Sequence, residues 1–435
     1  MEAFRFPADF ALGVASAATQ IEGGDTNNSW YDWACTGHIK DGSNPVNAND
    51  HYNRWREDLD LMVAMGIRHS RFGVEWSRIE PEEGRFDEEV LTHYRQEIQA
   101  MVDAGVRPLL TLHHFTNPRW FEQMGAFENE RCVALYLRFT EKVVRAVGDL
   151  VSEYITINEP NVYTMNGYFG GGWPPGKNSL GAYRTVLTHM AACHIAGYRM
   201  LHRVRSEMGY DDTRVSFANH LRVFQPLNKS NPIHRVSCWF AEKAFQGALS
   251  RTMCVGEVVF PMKRHGEIRR GKWCDFHAVN YYSRSTVSGL ADGVAPNTPT
   301  NDLGWEIYPQ GIAETCRMLY DITPLPIYIT ENGTCDNTDT FRSRYICEHL
   351  HALTQSGLPV RRYYHWCFCD NFEWLEGESA RFGLVHIDYQ TQQRTVKRSG
   401  EFYAAMIREG GITEEMIDTY CGGTYRNEKE ETVHA

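Results

Sequence analysis

The chain has 435 residues, of which 42% are apolar and 23% charged, and its formal net charge is −11 at pH 7. This composition predicts a well-filled globular core and excludes a disordered chain. The acidic balance disfavours partners that are bound through their phosphates, so we expect no nucleic-acid partner.

The beginning of the chain shows no targeting segment. Glu2 and Asp9 stand among short apolar stretches, whereas a signal peptide has a basic start and a longer apolar run. No stretch approaches about 18 uninterrupted apolar residues, so we expect no membrane span. The 12 cysteines lack paired spacing, which argues against disulfide staples and favours a cytoplasmic location.

Short β-rich runs alternate with longer helix-like stretches along the chain. The eight β-rich runs are 10–16, 67–76, 107–115, 154–160, 214–221, 275–283, 326–332 and 361–368. Two of the helix-like stretches begin at the cap-type residues Asp87 and Ser343 and end at Gly105 and Gly357. Strands that alternate with helices in this way predict right-handed parallel crossovers.

A single (β/α)8 TIM barrel is therefore the predicted fold, with its site at the C-terminal ends of the strands. A doubly wound open sheet is the alternative. We assign residues 1–421 to one barrel domain and residues 422–435 to a polar C-terminal tail that is expected to fray.

Two of the predicted strands end on a glutamate. One exit reads Asn158-Glu159-Pro160 and the other reads Glu331-Asn332-Gly333. Either glutamate alone could cap a helix or pair with an arginine, but two at the same end of one barrel indicate paired carboxylates. Such a pair suits glycosidic bond cleavage, in which one acid protonates the leaving oxygen. The other carboxylate attacks the sugar carbon or activates a water, and chain spacing leaves both routes open.

Eight motifs occur in a characteristic order: FPADFALGVASAATQIEG, RFGVEWSRI, TLHHFTNP, ITINEP, VNYYSR, GWEIYP, YITENG and HWCFCDNFEWLEGESARFGL. With them the chain resembles glycoside hydrolase family 1, the β-glucosidases, β-galactosidases and their relatives, from Phe6 to about Arg398. The resemblance implies a retaining enzyme that releases terminal non-reducing β-D-glucosyl residues, and β-D-galactosyl or β-D-fucosyl residues as well. Its expected substrate is a small oligosaccharide or an aryl or alkyl β-glycoside, and neither a metal nor a cofactor is expected.

The resemblance also assigns roles to individual residues. Glu159 matches the acid/base and Glu331 the nucleophile, which Arg71 and Tyr282 would keep ionised, while Asn158 would contact the sugar 2-hydroxyl. The residues that would hold or frame the sugar are Gln20, His114, Asn280, Trp305, Trp366, Glu373, Trp374 and Phe382.

Strand alternation adds two expectations. Only one of His113 and His114 can face the barrel axis, and the motif gives that position to His114. Trp366 and Phe368 should share one face of the last strand, so the Cys-x-Cys pair at 367 and 369 should face the outer helices, without a metal.

The leaving-group side departs from the family pattern. Many relatives place a stacking tryptophan after Asn-Glu-Pro, where this chain has Asn161. Trp305 and Trp173 are the alternative platforms.

Two other functions fit the same barrel. A 6-phospho-β-glycosidase would lack the acid at Glu373, which repels a phosphate. A non-catalytic sugar-binding module would have lost Glu159 or Glu331. A homo-oligomer is left open.

Overall fold

The computed structural model describes residues 2–289 and 291–428. Its centre is a barrel of eight parallel strands, which we number β1 to β8 in chain order. They are Ala11–Ala15, His69–Gly73, Arg107–Thr111, Glu153–Asn158, Arg214–Pro226, His277–Ser288, Ile327–Asn332 and Val360–Trp366. Each strand pairs with the next, and β8 pairs with β1, which closes the barrel. The predicted (β/α)8 barrel is confirmed, and an open sheet is excluded.

One outer helix follows each strand and packs on the outside of the barrel. These helices, α1 to α8, are His51–Ala64, Glu88–Asp103, Cys132–Val147, Leu180–Glu207, Ala248–Val255, Gln310–Tyr320, Arg342–Gln355 and Arg398–Glu409.

Additional elements lie at the two ends of the barrel. The additional α-helices are Ala18–Ile21, Ser29–Cys35, Trp76–Ile79, Arg119–Gln123, Pro160–Thr164, Pro232–Glu242 and Glu414–Tyr420. Ala126–Glu128 and Trp374–Glu376 are 3-10 turns, and Met165–Phe169 and Lys243–Gly247 are π-helical turns. Phe4–Arg5 pairs with Gly411–Ile412, Val385–Ile387 pairs with Arg394–Val396, and Ala291–Gly293 pairs with the end of β6.

The ends of α2 follow from local sequence. The Asp87 carboxylate accepts from the backbone N–H groups of Glu89 and Val90, as predicted for an N-cap. Gly105 follows the helix at φ +75°, a left-handed conformation that glycine adopts without steric cost.

The predicted start of α7 at Ser343 was wrong. The helix begins at Arg342, because the Asp336 carboxylate accepts from the backbone N–H groups of Phe341 at 2.7 Å and Arg342 at 2.9 Å. The cap thus comes from a loop six residues upstream. Gly357, at φ +65°, follows the helix as predicted.

The barrel interior is a packed core, not a channel. Small and large apolar side chains fill it, among them Ala15, Leu109, Ile155, Ala218, Ala278, Tyr328 and Tyr364. Because this layer is closed, polar side chains at the C-terminal ends of the strands face the open mouth of the barrel.

The first part of the predicted C-terminal tail packs against the barrel. Tyr425 is buried against Phe341, with ring centroids 5.5 Å apart, and Arg344 pairs with Glu428 at 2.8 Å. Residues 429–435 lie outside the described part of the chain, and the domain boundary at residue 421 stays a prediction. Among the described residues, no helix has the length and apolarity needed to cross a bilayer.

Candidate active site

An irregularity at the end of β7 turns Glu331 into the barrel mouth. Tyr328 lies in the barrel interior, so strict alternation would also point Thr330 inward and Glu331 outward. The pairing of β7 with β6 shifts by one residue just before Asn280, which becomes the partner of Glu331. As a result Thr330 and Glu331 both reach groups inside the mouth, and Thr330 donates to Asn280 at 2.7 Å.

The end of β4 is irregular in the same way. Ile155 packs in the barrel interior and Ile157 packs in the outer core, although strict alternation would place both on one face. The register with β5 shifts between Ile155 and Asn158, which lets Asn158 face inward. Glu159 then adopts a left-handed backbone conformation, at φ +43°, that is uncommon for a residue with a side chain. Such conformations concentrate at functional sites.

Glu331 is held by donors on both of its carboxylate oxygens. Arg71 donates to Oε1 at 2.5 Å and the Tyr282 hydroxyl donates to Oε2 at 2.5 Å. Burial, with a smaller contribution from the nearby Glu159, nevertheless raises the pKa of Glu331 to about 7, against the lowering effect of these two donors. Both predicted donors are in place, but the ionised form predominates only above about pH 7.

Glu159 is held by two side chains that lie on other strands. The Asn280 amide donates to Oε1 of Glu159 at 2.7 Å, and Nδ1 of His220 lies 3.3 Å from the same oxygen. Nε2 of His220 accepts from Arg222 at 3.0 Å, so the ring carries its proton on Nδ1 and donates it to Glu159. Burial lowers the pKa of His220, in agreement with a neutral ring.

His220 and Arg222 were missed by the sequence analysis. They stand two residues apart at the end of the predicted strand 214–221, a spacing that places both on one face of the strand. That alternation, next to a strand that ends on a glutamate, was the available signal.

A chain of hydrogen bonds fixes the orientation of Asn158 and His114. Arg71 can only donate, so the atom of Asn158 that it contacts at 2.6 Å is the carbonyl oxygen Oδ1. The amide Nδ2 therefore donates to Nε2 of His114 at 3.1 Å, which leaves the His114 proton on Nδ1. Burial keeps the pKa of His114 well below its usual range. His113 turns away and contacts Asn117 at 2.9 Å, which confirms the predicted alternation.

Gln20 and Glu373 form the polar edge of the pocket. The Gln20 amide donates to the Phe372 carbonyl at 2.9 Å and lies 3.5 Å from Glu373, while Trp366 donates to Glu373 at 3.4 Å. Burial raises the pKa of Glu373 to about 8, so its carboxyl group is largely protonated at neutral pH. Within the described chain, Oε1 of Gln20 and Nδ1 of His114 are buried polar atoms without a hydrogen-bond partner.

Aromatic rings frame the pocket. The rings of Trp366 and Trp374 lie near-parallel to His114, at centroid distances of 5.8 Å and 6.0 Å. Trp305 and Phe382 lie beside one another, with ring centroids 5.9 Å apart. Trp305 is 37% exposed, which leaves part of its ring free at the mouth.

Two residues on the leaving-group side have structural roles. Asn161 is buried, and its amide donates to the His220 carbonyl at 2.7 Å. Trp173 packs edge-on against Trp30 at 5.1 Å and Phe115 at 4.9 Å, so it forms part of the wall. Of the two alternative platforms, Trp305 is the more open.

The expectation for the Cys-x-Cys pair holds for Cys369, which packs in the outer core, but is wrong for Cys367. Cys367 packs with Trp366 in the cluster of the barrel interior, whereas Phe368 and Cys369 join the outer core. The reason is that β8 ends at Trp366, so strand alternation does not continue beyond it. No group of three or more metal-binding side chains occurs in the described parts of the chain.

The family model described as "Glycosyl hydrolase family 1" matches residues 2–412. The chain belongs to glycosyl hydrolase family 1. Three curated relatives of this family 1 chain are β-glucosidase A of Thermotoga maritima, a β-glucosidase of Agrobacterium sp. and a β-galactosidase of Saccharolobus solfataricus. The Thermotoga maritima enzyme is 28% identical over 95% of this chain and 100% of its own length. The Agrobacterium sp. enzyme is 31% identical over 93% of this chain and 95% of its own length. The Saccharolobus solfataricus enzyme is 28% identical over 95% of this chain and 97% of its own length.

Solved family 1 structures share the fold closely. A β-glycosidase from Pyrococcus horikoshii superposes with a TM-score of 0.87 at 31% identity, covering 96% of this chain and 98% of its own. A β-glucosidase from Thermotoga maritima in complex with glucoimidazole has a TM-score of 0.87 at 27% identity, covering 94% and 100% of the two chains. The protein is thus a glycosyl hydrolase built on a complete family 1 barrel.

Proposed function

We propose that this family 1 enzyme hydrolyses terminal non-reducing β-D-glucosyl residues with retention of configuration, and β-D-galactosyl and β-D-fucosyl residues as well. One observation carries the mechanism: both oxygens of Glu331 accept hydrogen bonds, from Arg71 and from Tyr282. A carboxylate held in this way presents electron pairs to a sugar carbon and acts as a nucleophile. The relatives known as β-glucosidase and β-galactosidase support the choice of glucosyl and galactosyl residues.

The reaction proceeds in two displacements. Glu331 attacks the anomeric carbon while Glu159 gives its proton to the glycosidic oxygen, and the aglycone departs. Glu159, now a carboxylate, then takes a proton from water, which attacks the same carbon and releases Glu331. Asn280 and His220 hold Glu159 in position for both steps.

The polar atoms left unpartnered in the pocket suit a sugar ring. Nδ1–H of His114 is a free donor and Oε1 of Gln20 is a free acceptor, both buried within the described chain. Glu373 adds a carboxyl group, and Trp366 adds a flat apolar face. An amide and a carboxyl group can each turn to an equatorial or an axial hydroxyl, so we propose that glucosides and galactosides are both accepted.

The structure weighs against the two alternative functions. A 6-phosphate would lie beside Glu373, a half-buried carboxyl group that offers no positive charge to it. A non-catalytic sugar-binding module needs neither of the two held glutamates. Here Arg71 holds Glu331, and Asn280 and His220 hold Glu159.

Azide rescue tests the proposal. Glu331→Gly should abolish turnover of an aryl β-glucoside, and azide should restore it with the α-glycosyl azide as product, because azide attacks from the side that the carboxylate occupied. Glu159→Ala should accumulate the glycosyl-enzyme, and azide should release it as the β-glycosyl azide. The opposite assignment of products would show that the two roles are exchanged.

A further inference from the structure

A large apolar groove lies beside the catalytic carboxylates. It has a volume of about 730 Å³, within the size range of small-molecule sites. The turns after β4 and β5 and the end of β6 form its walls. Its aromatic lining includes Phe169, Tyr183, Phe224, Trp239, Phe240 and Phe260.

One wall of the groove is a helix with an apolar outer surface. In Pro232–Glu242, Trp239 is 62% exposed and Phe240 is 53% exposed, although both are large and apolar. Clustered exposure of this kind marks a binding surface, because burying it against a ligand is favourable. The groove has no net charge, because its two charged side chains, Arg222 and Asp292, lie 3.5 Å apart as an ion pair.

The inner end of the groove is one side chain away from the acid/base. Arg222 lines the groove and donates to His220 at 3.0 Å, and His220 in turn contacts Glu159 at 3.3 Å. Val162, which also lines the groove, lies in the short helix that begins directly after Glu159. A leaving group that takes a proton from Glu159 lies against that carboxyl group, and the groove begins one side chain beyond it.

We propose that the groove binds the aglycone of the substrate and that this aglycone carries a long hydrocarbon chain. The inference rests on the proposed function, which makes Glu159 the proton donor to the leaving group. An uncharged apolar trough selects an uncharged apolar occupant.

Binding of non-hydrolysable thioglycosides tests the groove separately from catalysis. Isothermal titration calorimetry would compare octyl and methyl β-D-thioglucosides below the micelle-forming concentration. Octyl has seven methylenes more than methyl, and burying each should strengthen binding by roughly two- to fourfold, so we expect octyl to bind at least about 100-fold more tightly. Trp239→Ser and Phe240→Ser should each reduce that ratio by about tenfold and leave methyl thioglucoside binding unchanged.

Ile233→Ser is the matched control. Ile233 lies on the same helix and is 68% exposed, but it does not line the groove, so its replacement should leave the ratio unchanged. Equal affinities for octyl and methyl thioglucoside would overturn the proposal. So would an oligomer that dissociates on Trp239→Ser, measured by analytical ultracentrifugation, because the helix would then serve a second copy of the chain.

Turnover of methyl and octyl β-D-glucosides distinguishes a failure of the groove proposal from a failure of the proposed hydrolytic function. Octyl preference in kcat/KM, lost in Trp239→Ser, supports both. Chain-length-dependent thioglucoside binding without any turnover would refute the proposed function and leave the apolar groove established as a ligand site. Turnover without chain-length dependence would refute the groove alone.

Discussion

The amide Nδ2 of Asn280 donates a hydrogen bond to Oε1 of Glu159 over 2.7 Å. Asn280 is also the cross-strand partner of Glu331, so one residue lies between the two carboxylates. Its carbonyl oxygen accepts from Thr330, which fixes the orientation of the amide. The site therefore depends on β6 as much as on the two strands that carry the glutamates.

Asn280→Ala should weaken proton donation to the leaving group. Loss of a hydrogen bond to a charged group costs about 1.5–3 kcal/mol, which is roughly a 10- to 100-fold loss in rate. The loss of kcat/KM should be greater for methyl β-D-glucoside than for 2,4-dinitrophenyl β-D-glucoside, whose leaving group needs little protonation. Asn219→Ala on β5, where the amide bonds Ser250 at 2.8 Å, is the control and should affect both substrates equally. Equal losses in the Asn280 variant would contradict the assigned role.

Tyr282→Phe should move the pH profile. The Tyr282 hydroxyl lowers the pKa of Glu331, which burial raises to about 7, so its removal should raise that pKa further. The nucleophile must be ionised, and the acid-side inflection of kcat/KM should therefore move to higher pH, with a loss of about 10- to 100-fold in rate. Tyr281→Phe is the control, because that hydroxyl bonds the Tyr308 carbonyl at 2.6 Å. An unchanged or lower inflection in Tyr282→Phe would be inconsistent with the observed contact.

The sequence predicted the barrel because strand exits and helix caps are local features. Asp87 and Gly105 delimit α2 by contacts within a few residues, and both positions were predicted correctly. The start of α7 was wrong because its cap, Asp336, comes from a preceding loop.

The detailed geometry of the site was harder to predict. The sequence motifs identified Glu159 and Glu331 as the candidate carboxylates. Strict strand alternation, however, would point Glu331 away from the barrel interior. Glu331 faces inward because of a register shift in the pairing of β7 with β6. His220 was missed because its contact joins two strands whose contacting residues lie 61 positions apart. The spacing of His220 and Arg222 predicts only that they share a face of the strand, whereas the contact with Glu159 follows from tertiary packing.

His220 should act as a positioning residue for Glu159. His220→Ala removes the Nδ1 donor, and we expect about a tenfold loss of kcat/KM on methyl β-D-glucoside, with a smaller loss on the dinitrophenyl substrate. In His220→Asn the amide nitrogen takes the place of Nδ1, so it should restore most of the rate. If His220→Asn behaves like His220→Ala on both substrates, the histidine has a packing role only.

Glu373 should make the enzyme reject phosphorylated sugars. We expect kcat/KM for an aryl β-D-glucoside to exceed that for its 6-phosphate by about 100-fold, because the phosphate would be desolvated beside a carboxyl group that offers no positive charge. Glu373→Gln keeps the shape and removes the ionisable group, so it should narrow the difference most above about pH 8, where Glu373 is ionised. A wild-type preference for the 6-phosphate would establish the alternative activity.

The central claim is that Glu331 forms a covalent bond to the sugar. Incubation with 2,4-dinitrophenyl 2-deoxy-2-fluoro-β-D-glucoside should trap that bond, because the fluorine slows its hydrolysis. Peptide mapping by mass spectrometry is predicted to find the fluoroglucosyl group on Glu331 and on no other residue. An adduct on Glu159, or an unmodified enzyme that still hydrolyses the unsubstituted glucoside, would contradict the account.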